Sequence, residues 1–220
     1  MKTKRTAEDH LREEYFALHP DILRVAERVE VEIRHCLLRF SLNRKKYEQI
    51  VVTSRIKECE SAINSLRRRQ ESKSFDQSRT RSYTLTKLKD LVGIRILVFP
   101  RARIPSINDA LHKHFPSWKA DPVPGLTTTD EPLALKYFGH CEASKKIRAE
   151  YQIVPMLTGL FWEVEHSAIY KADPRLQGAT NNPDIKERMR AIYKAFEDFE
   201  HELEEKINKL RSVLRAKGRS

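Results

Sequence analysis

Glycine is scarce in this 220-residue sequence. Only six occur, Gly93, Gly125, Gly139, Gly159, Gly178 and Gly218, and no two lie close enough to bring several backbone amides onto one phosphate. A P-loop and a dinucleotide fingerprint both need clustered glycines for that purpose, so both are excluded. Cysteine is scarcer still. Cys36, Cys59 and Cys141 are odd in number and far apart, which offers neither a disulfide framework nor a zinc site and fits free thiols in a reducing compartment. Long apolar runs are missing too. The most apolar stretch, Leu91 to Phe99, is interrupted by Arg95 and is far too short to span a bilayer. The start, Met1 to Tyr15, has basic residues but no apolar run behind them, unlike a signal peptide. A soluble, cytoplasmic protein with no membrane partner is expected.

What is abundant is charge. There are 42 Lys+Arg against 31 Asp+Glu, a formal net charge of +11, while 40% hydrophobic residues suffice for a core at this length. The excess predicts an anionic partner: nucleotide, nucleic acid or an acidic surface. It is concentrated in residues 53–89, which hold ten Lys/Arg against four Asp/Glu.

Apolar spacing predicts a short helix over Asp9 to Leu18, ended by Pro20. A longer one follows over 21–41, with Ile22, Ala26, Val29, Ile33, Cys36, Leu37 and Phe40 in one stripe. Ile50 to Ser54 reads as a strand and 57–70 as a helix. Glu71 to Ser82, polar and without apolar periodicity, reads as a mobile loop. Val92 to Phe99, apolar on both faces, is expected to be a central strand. Ile104 to Phe115 is a predicted helix, Trp118 to Val123 a short strand and Pro122 to Pro132 a loop. Leu133 to Glu142 and Ile147 to Val154 are paired strands joined by Ala143 to Lys146. Met156 to Lys171 is predicted helical, then comes a Pro/Gly/Asn-rich stretch over Asp173 to Pro183. The last element, with Asn182 and Pro183 at its start, keeps Ile185, Met189, Ile192, Phe196, Phe199, Leu203, Ile207, Leu210 and Leu214 at near-heptad spacing. That stripe is expected to pack on the Ile22 to Phe40 helix or to form an oligomer interface.

Three short blocks carry chemistry. In Arg55-Ile-Lys57-Glu58-Cys59-Glu60-Ser61, Lys57 and Ser61 are four apart at a strand-to-helix junction, where amides and dipole favour a polyphosphate. An exposed basic helix paired with Glu58 and Glu60 would read the same. In Asp90-Leu-Val-Gly-Ile-Arg95 a guanidinium sits within a core strand and must find an anion or a planar partner, Glu150 being one choice. Asp90, at the strand entrance, suits a hard divalent cation. In Arg148-Ala-Glu150-Tyr-Gln152, alternation puts Arg148, Glu150 and Gln152 on one face and Ile147, Ala149, Tyr151 and Ile153 on the other. Glu150 is then a candidate general base or metal ligand, unless the strand is an edge with a solvated polar face.

These blocks, as R-x-K-x-x-x-S, D-x-x-G-x-R and E-x-Q in this order, resemble the RelA/SpoT-type alarmone synthetases, small single-domain members in particular. Trp162-Glu-Val-Glu-His166 followed by Tyr170-Lys171 is similar to that family's closing helix. The resemblance implies an α+β, nucleotidyltransferase-like mixed sheet. A synthetase core over 50–171 would lie between an N-terminal helical segment, 1–49, and a long C-terminal helix, 172–220. It implies transfer of pyrophosphate from ATP to the 3′-hydroxyl of GDP or GTP. Arg55 and Arg95 would sandwich the adenine, Lys57 and Ser61 would hold ATP phosphates, and Asp90 and Glu150 would bind Mg²⁺, with Glu150 deprotonating the acceptor. Lys73, Arg79 and Arg81 would add phosphate contacts. No His-Asp pair occurs, so the hydrolase half of long members is expected to be absent, and control would fall to abundance, a homo-oligomer or an antitoxin-like partner.

Departures cluster on the acceptor side. The family's G-Y-x-S-x-H has as its nearest counterpart Tyr137-Phe-Gly-His140, which with Gln152 is the candidate acceptor site. Val154-Pro155 replaces the usual Arg-Thr, and Arg148 stands where an acidic residue is usual. Toxin-like members that modify the 3′ end of tRNA, or use adenine nucleotides, are therefore the alternative. A non-catalytic nucleotide- or RNA-binding domain is the third reading, opposed by the presence of both Asp90 and Glu150.

Overall fold

The computed structural model describes residues 5–43, 45–69, 75–79, 82–123, 132–165 and 183–217. Helix α1 (Ala7–Leu42) leads into strand β1 (Gln49–Ile56) and helix α2 (Cys59–Arg69). Then come β2 (Val92–Phe99), α3 (Ile104–His114), the two-residue β3 (Lys119–Ala120), β4 (Leu135–Cys141), β5 (Ser144–Pro155), α4 (Met156–Glu165) and α5 (Pro183–Lys217). Short 3₁₀ turns occur at Leu85–Lys87 and Arg101–Arg103. The sheet order is β1-β2-β5-β4-β3, with β2 and β5 parallel and the other pairs antiparallel. This is the expected mixed α+β architecture with a long C-terminal helix. Among the described residues no helix is long and apolar enough to cross a membrane.

One sheet face makes the main core. Val92, Ile94, Ile96 and Val98 of β2, with Ile147, Ala149, Tyr151 and Ile153 of β5, are buried beneath α1 and α3. Here α1 departs from expectation: it runs unbroken through Pro20. A proline inside a helix costs about 3 kcal/mol, through a lost hydrogen bond and a steric clash. The buried row Leu11, Tyr15, Ile22, Val25, Val29 and Ile33 spans it on one face, and each large apolar side chain contributes roughly 1.5–3 kcal/mol. Tertiary burial therefore outweighs the local breaker. Thr6 and Asp9 start the helix as a reciprocal capping box.

The β4–β5 connection is also tighter than predicted. Only Glu142 and Ala143 turn the chain, so Lys145 and Lys146 belong to β5. At this end Gly139 lies against Trp118, whose indole N–H donates to the His140 carbonyl at 3.1 Å. A Cβ at Gly139 would stand 2.5 Å from the indole Cδ1. Phe115 and Tyr151 pack against the same ring, with centroids 4.8 and 5.4 Å away, so it has nowhere to move. Gly139→Ala is expected to lower stability by about 2–3 kcal/mol, read as a fall in the urea midpoint at unchanged slope.

The C-terminal helix differs from expectation in its buried face. Ile192 is 38% and Phe199 52% exposed, whereas Tyr193 and Glu200 are buried. α5 packs on α4 and the Arg101–Arg103 turn, rather than on the Ile22 to Phe40 stretch of α1. The reason is topological: α1 spends its apolar row on the core face of the sheet, while α4 covers the opposite face. The Glu71 to Ser82 loop lies partly, and residues 124–131 of the Pro122 to Pro132 loop wholly, outside the described residues. So do His166, Tyr170, Lys171 and Asn182.

Candidate active site

Strand register assembles the site on the sheet face away from α1. Arg55 lies opposite Gly93, and Gly93 opposite Glu150. One step along, Thr53 lies opposite Arg95, and Arg95 opposite Gln152. Directly opposed residues share a face, so Arg55, Arg95, Glu150 and Gln152 converge around the bare floor of Gly93. The Arg55 side chain crosses that floor, its Cγ and Nε 3.6 Å from where a Gly93 Cβ would be. Farther along the same face Leu97, Ala134 and Val154 form a small apolar cluster with Met156 and Trp162 of α4. That helix walls off one end of the site.

Lys57 and Asp90 close the other end. The Lys57 amide donates to the Leu91 carbonyl at 3.0 Å, and its carbonyl accepts from the Tyr15 hydroxyl at 2.9 Å. Held there, its ammonium pairs with the Asp90 carboxylate, and both side chains are largely buried. Ser61 is half-buried in the first turn of α2, which begins two residues beyond Lys57. That turn is tied to α1 by Arg12, whose Nε lies 2.7 Å from the Glu60 carboxylate. Glu60 is thus a partner of α1.

Glu150 is 7% exposed. Burial pushes its carboxyl above the usual range and the nearby Asp90 charge pushes the same way, against Lys136, Arg55 and a hydrogen bond from Gln152. That bond runs from Gln152 Nε2 to Glu150 Oε1 at 2.8 Å. Gln152 Oε1 is buried with no hydrogen-bond partner among the described residues. Two carboxylates that sense each other's charge are the hard oxygen donors that suit Mg²⁺, which commonly takes one or two carboxylates and completes its shell with phosphate and water. Among the described residues no group of three or more His, Cys, Asp or Glu side chains could hold a metal. The donor set fits a magnesium ion brought in with a polyphosphate.

Arg95 pairs not with Glu150 but with Glu163 of α4, and its guanidinium carbon lies 5.2 Å from the Trp162 ring centroid. Burial and the neighbouring Arg55 cation both pull its pKa below the usual arginine value, opposed by Glu150 and Tyr193. The planar partner demanded by a core-strand arginine is therefore Trp162.

Two candidate residues do not join this cluster. Tyr137 lies opposite Tyr151, on the core face, its ring stacked on that of Tyr151 with centroids 5.0 Å apart. His140 is exposed at the hairpin end, with Nδ1 3.1 Å from the Ile147 carbonyl. The aromatic that does share the site face is Phe138, opposite Glu150, with the Lys89 ammonium 4.1 Å over its ring. Lys136, opposite Gln152, stands beside it. Alternation along the strand does not reveal this. A regular turn at Glu142–Ala143 would pair Phe138 with Ile147 on the core face, and it is the register shift between Gly139 and Cys141 that sets Phe138 opposite Glu150.

No protein-family model matches the chain, and no curated protein matches it. Solved structures do. The small alarmone synthetase 1 of Bacillus subtilis, solved bound to its product pppGpp, superposes with TM-score 0.67 at 15% identity, over 90% of this chain and 98% of that one. The same protein bound to AMPCPP gives TM-score 0.61 at 16% identity, over 87% and 94%. A GTP pyrophosphokinase family protein from Streptococcus pneumoniae gives 0.57 at 22% identity, over 92% and 94%. The motif resemblance is thus matched by the three-dimensional architecture, and along nearly its whole length this chain has the fold of the small alarmone synthetases.

Proposed function

We propose that the protein transfers the β,γ-pyrophosphate of ATP to the 3′-hydroxyl of a guanine nucleotide, GDP or GTP. The observation that carries this reading is the convergence of Arg55, Lys57, Asp90, Arg95, Glu150 and Gln152 around the Gly93 floor. The neighbours bound to pppGpp and AMPCPP support a nucleotide on each side of the reaction.

Arg55 and Arg95 flank the space for the adenine, and Lys57 with the first turn of α2 and Ser61 meets the phosphates. The acceptor 3′-oxygen attacks the β-phosphorus, the bond from that phosphorus to the α–β bridging oxygen breaks, and AMP leaves. Glu150 takes the hydroxyl proton. In the metal-free protein burial raises its pKa, and Gln152 holds its orientation. Asp90 and Glu150 would hold Mg²⁺, which supplies charge neutralisation at the phosphates when bound. Phe138 with Lys89 offers the acceptor base a ring and a cation, in place of Tyr137.

Incubation with γ-³²P-ATP, Mg²⁺ and, separately, GDP, GTP, AMP, ATP or bulk tRNA tests the proposal. Label in GDP or GTP is the expected result, and label in no acceptor would overturn it. Label in tRNA alone would favour a tRNA 3′ end as acceptor. That second reading draws on the placement of Tyr137 away from the site and on the net charge of +11, which suits salt-dependent phosphate contacts.

A further inference from the structure

Helix α4 starts without a local cap. It follows Val154-Pro155 directly, so no Ser, Thr, Asp or Asn stands where a side-chain oxygen could take its first amides. The missing acceptor comes from α5. Glu200 is 1% exposed, and its Oε1 accepts from the Leu157 amide at 3.4 Å. It is the middle member of a row three and four residues apart along one face of α5. Glu197 lies 3.2 Å from the Arg101 guanidinium, and Glu204 accepts from the Ala102 amide at 2.9 Å. Half-way along α4, the Phe161 ring meets Tyr193 and Phe196 of α5, with centroids 5.0 and 5.7 Å apart. One residue later α4 delivers Trp162 and Glu163 to Arg95.

We infer that Glu200 is a positioning residue: it caps α4 from a distant part of the chain, and through Trp162 and Glu163 it sets the Arg95 guanidinium on the adenine side of the site. The role given to Arg95 rests on the proposed ATP reading, whereas the capping itself does not. Enclosure of the carboxyl is consistent with its acidity. Burial pushes it up to about 7, the Leu157 amide and Arg101 oppose this, and Glu204 and Glu197 add to it. Near neutral pH much of it is protonated, so glutamine is a close mimic that still offers an acceptor oxygen.

The experiment compares Glu200→Gln and Glu200→Leu in the full chain. Hydrogen exchange of the 156–165 segment and the emission of Trp162 are read in a Trp118→Phe background, with affinity for α,β-methylene-ATP measured alongside. Glu200→Leu is expected to speed exchange in 156–165 about tenfold while 22–40 stays protected, to red-shift the emission and to weaken analogue binding about tenfold. The KM for ATP should rise with kcat nearly unchanged. Glu200→Gln should stay within about twofold of the parent on every measure, and adding Arg95→Ala to Glu200→Leu should weaken analogue binding no more than Arg95→Ala does alone. Unchanged exchange and emission in Glu200→Leu would overturn the inference. So would equal loss of protection in 22–40, or loss in Glu200→Gln matching that in Glu200→Leu. Should Glu200→Leu not fold, Glu200→Ala carries the same comparison. If the parent protein fails to bind the analogue, the ATP reading falls while exchange and emission still judge the capping.

Discussion

Replacing Glu150 by Gln is expected to cut transfer about 10³-fold in kcat while the protein, in metal-free buffer at pH 8, melts higher than the parent. The first effect follows from the loss of the only base that this reading places at the acceptor hydroxyl, a contribution of roughly 10²–10⁴-fold in general base catalysis. The second comes from burial. A carboxyl whose folded pKa is raised contributes stability that is complete below its unfolded pKa and lost as pH rises through the folded one. Above that folded pKa the parent carries a buried charge beside Asp90 that the amide does not. The gap in Tm should close as pH falls to 4 and below. Full activity in Glu150→Gln would remove Glu150 from the chemistry.

Lys57→Met should act with the opposite sign on stability. Lys57 and Asp90 form a largely buried pair, and removing Lys57 leaves the Asp90 carboxylate buried without its ammonium. Here a second carboxylate, Glu150, is already within electrostatic reach of Asp90. A loss of about 2–3 kcal/mol is expected, discounted from the fully buried case because both side chains keep some solvent contact. Adding Asp90→Asn should restore part of it, so that a urea-denaturation cycle over the two sites shows coupling. Activity should fall by about 10²-fold or more in Lys57→Met, chiefly in the KM for ATP, and Asp90→Asn should not restore it. Additive losses of stability would show that the pair is not coupled.

Much of the fold was legible because its signals are local. The β-branched, apolar Val92 to Phe99 run and the period-two alternation of Ile147, Ala149, Tyr151 and Ile153 identified the two parallel strands and their buried face. Pro20 misled because a breaker's cost is local, whereas the burial that offsets it comes from the sheet. The α5 stripe misled for a related reason. Apolar spacing marks which residues favour burial, but only the arrangement of α4 and the Arg101–Arg103 turn decided that Tyr193 and Glu200 go inside while Phe199 stays out.

The site divides along the same line. Residue types and spacings brought Arg55, Lys57, Ser61, Asp90, Arg95, Glu150 and Gln152 forward, because phosphate, magnesium and proton transfer constrain which side chains can serve. What the sequence by itself determined was this chemical inventory, the mixed α+β class and the charge that calls for an anionic partner. The tertiary structure alone decided who meets whom: Arg95 with Glu163 and Trp162, Lys57 with Asp90, Phe138 rather than Tyr137 on the site face, and Glu200 at the start of α4. A one-residue change of strand register moves every side chain to the other face, and a partner far along the chain leaves no periodic trace. Chemistry is written in residue types, but pairing is set by register and by the packing of distant helices.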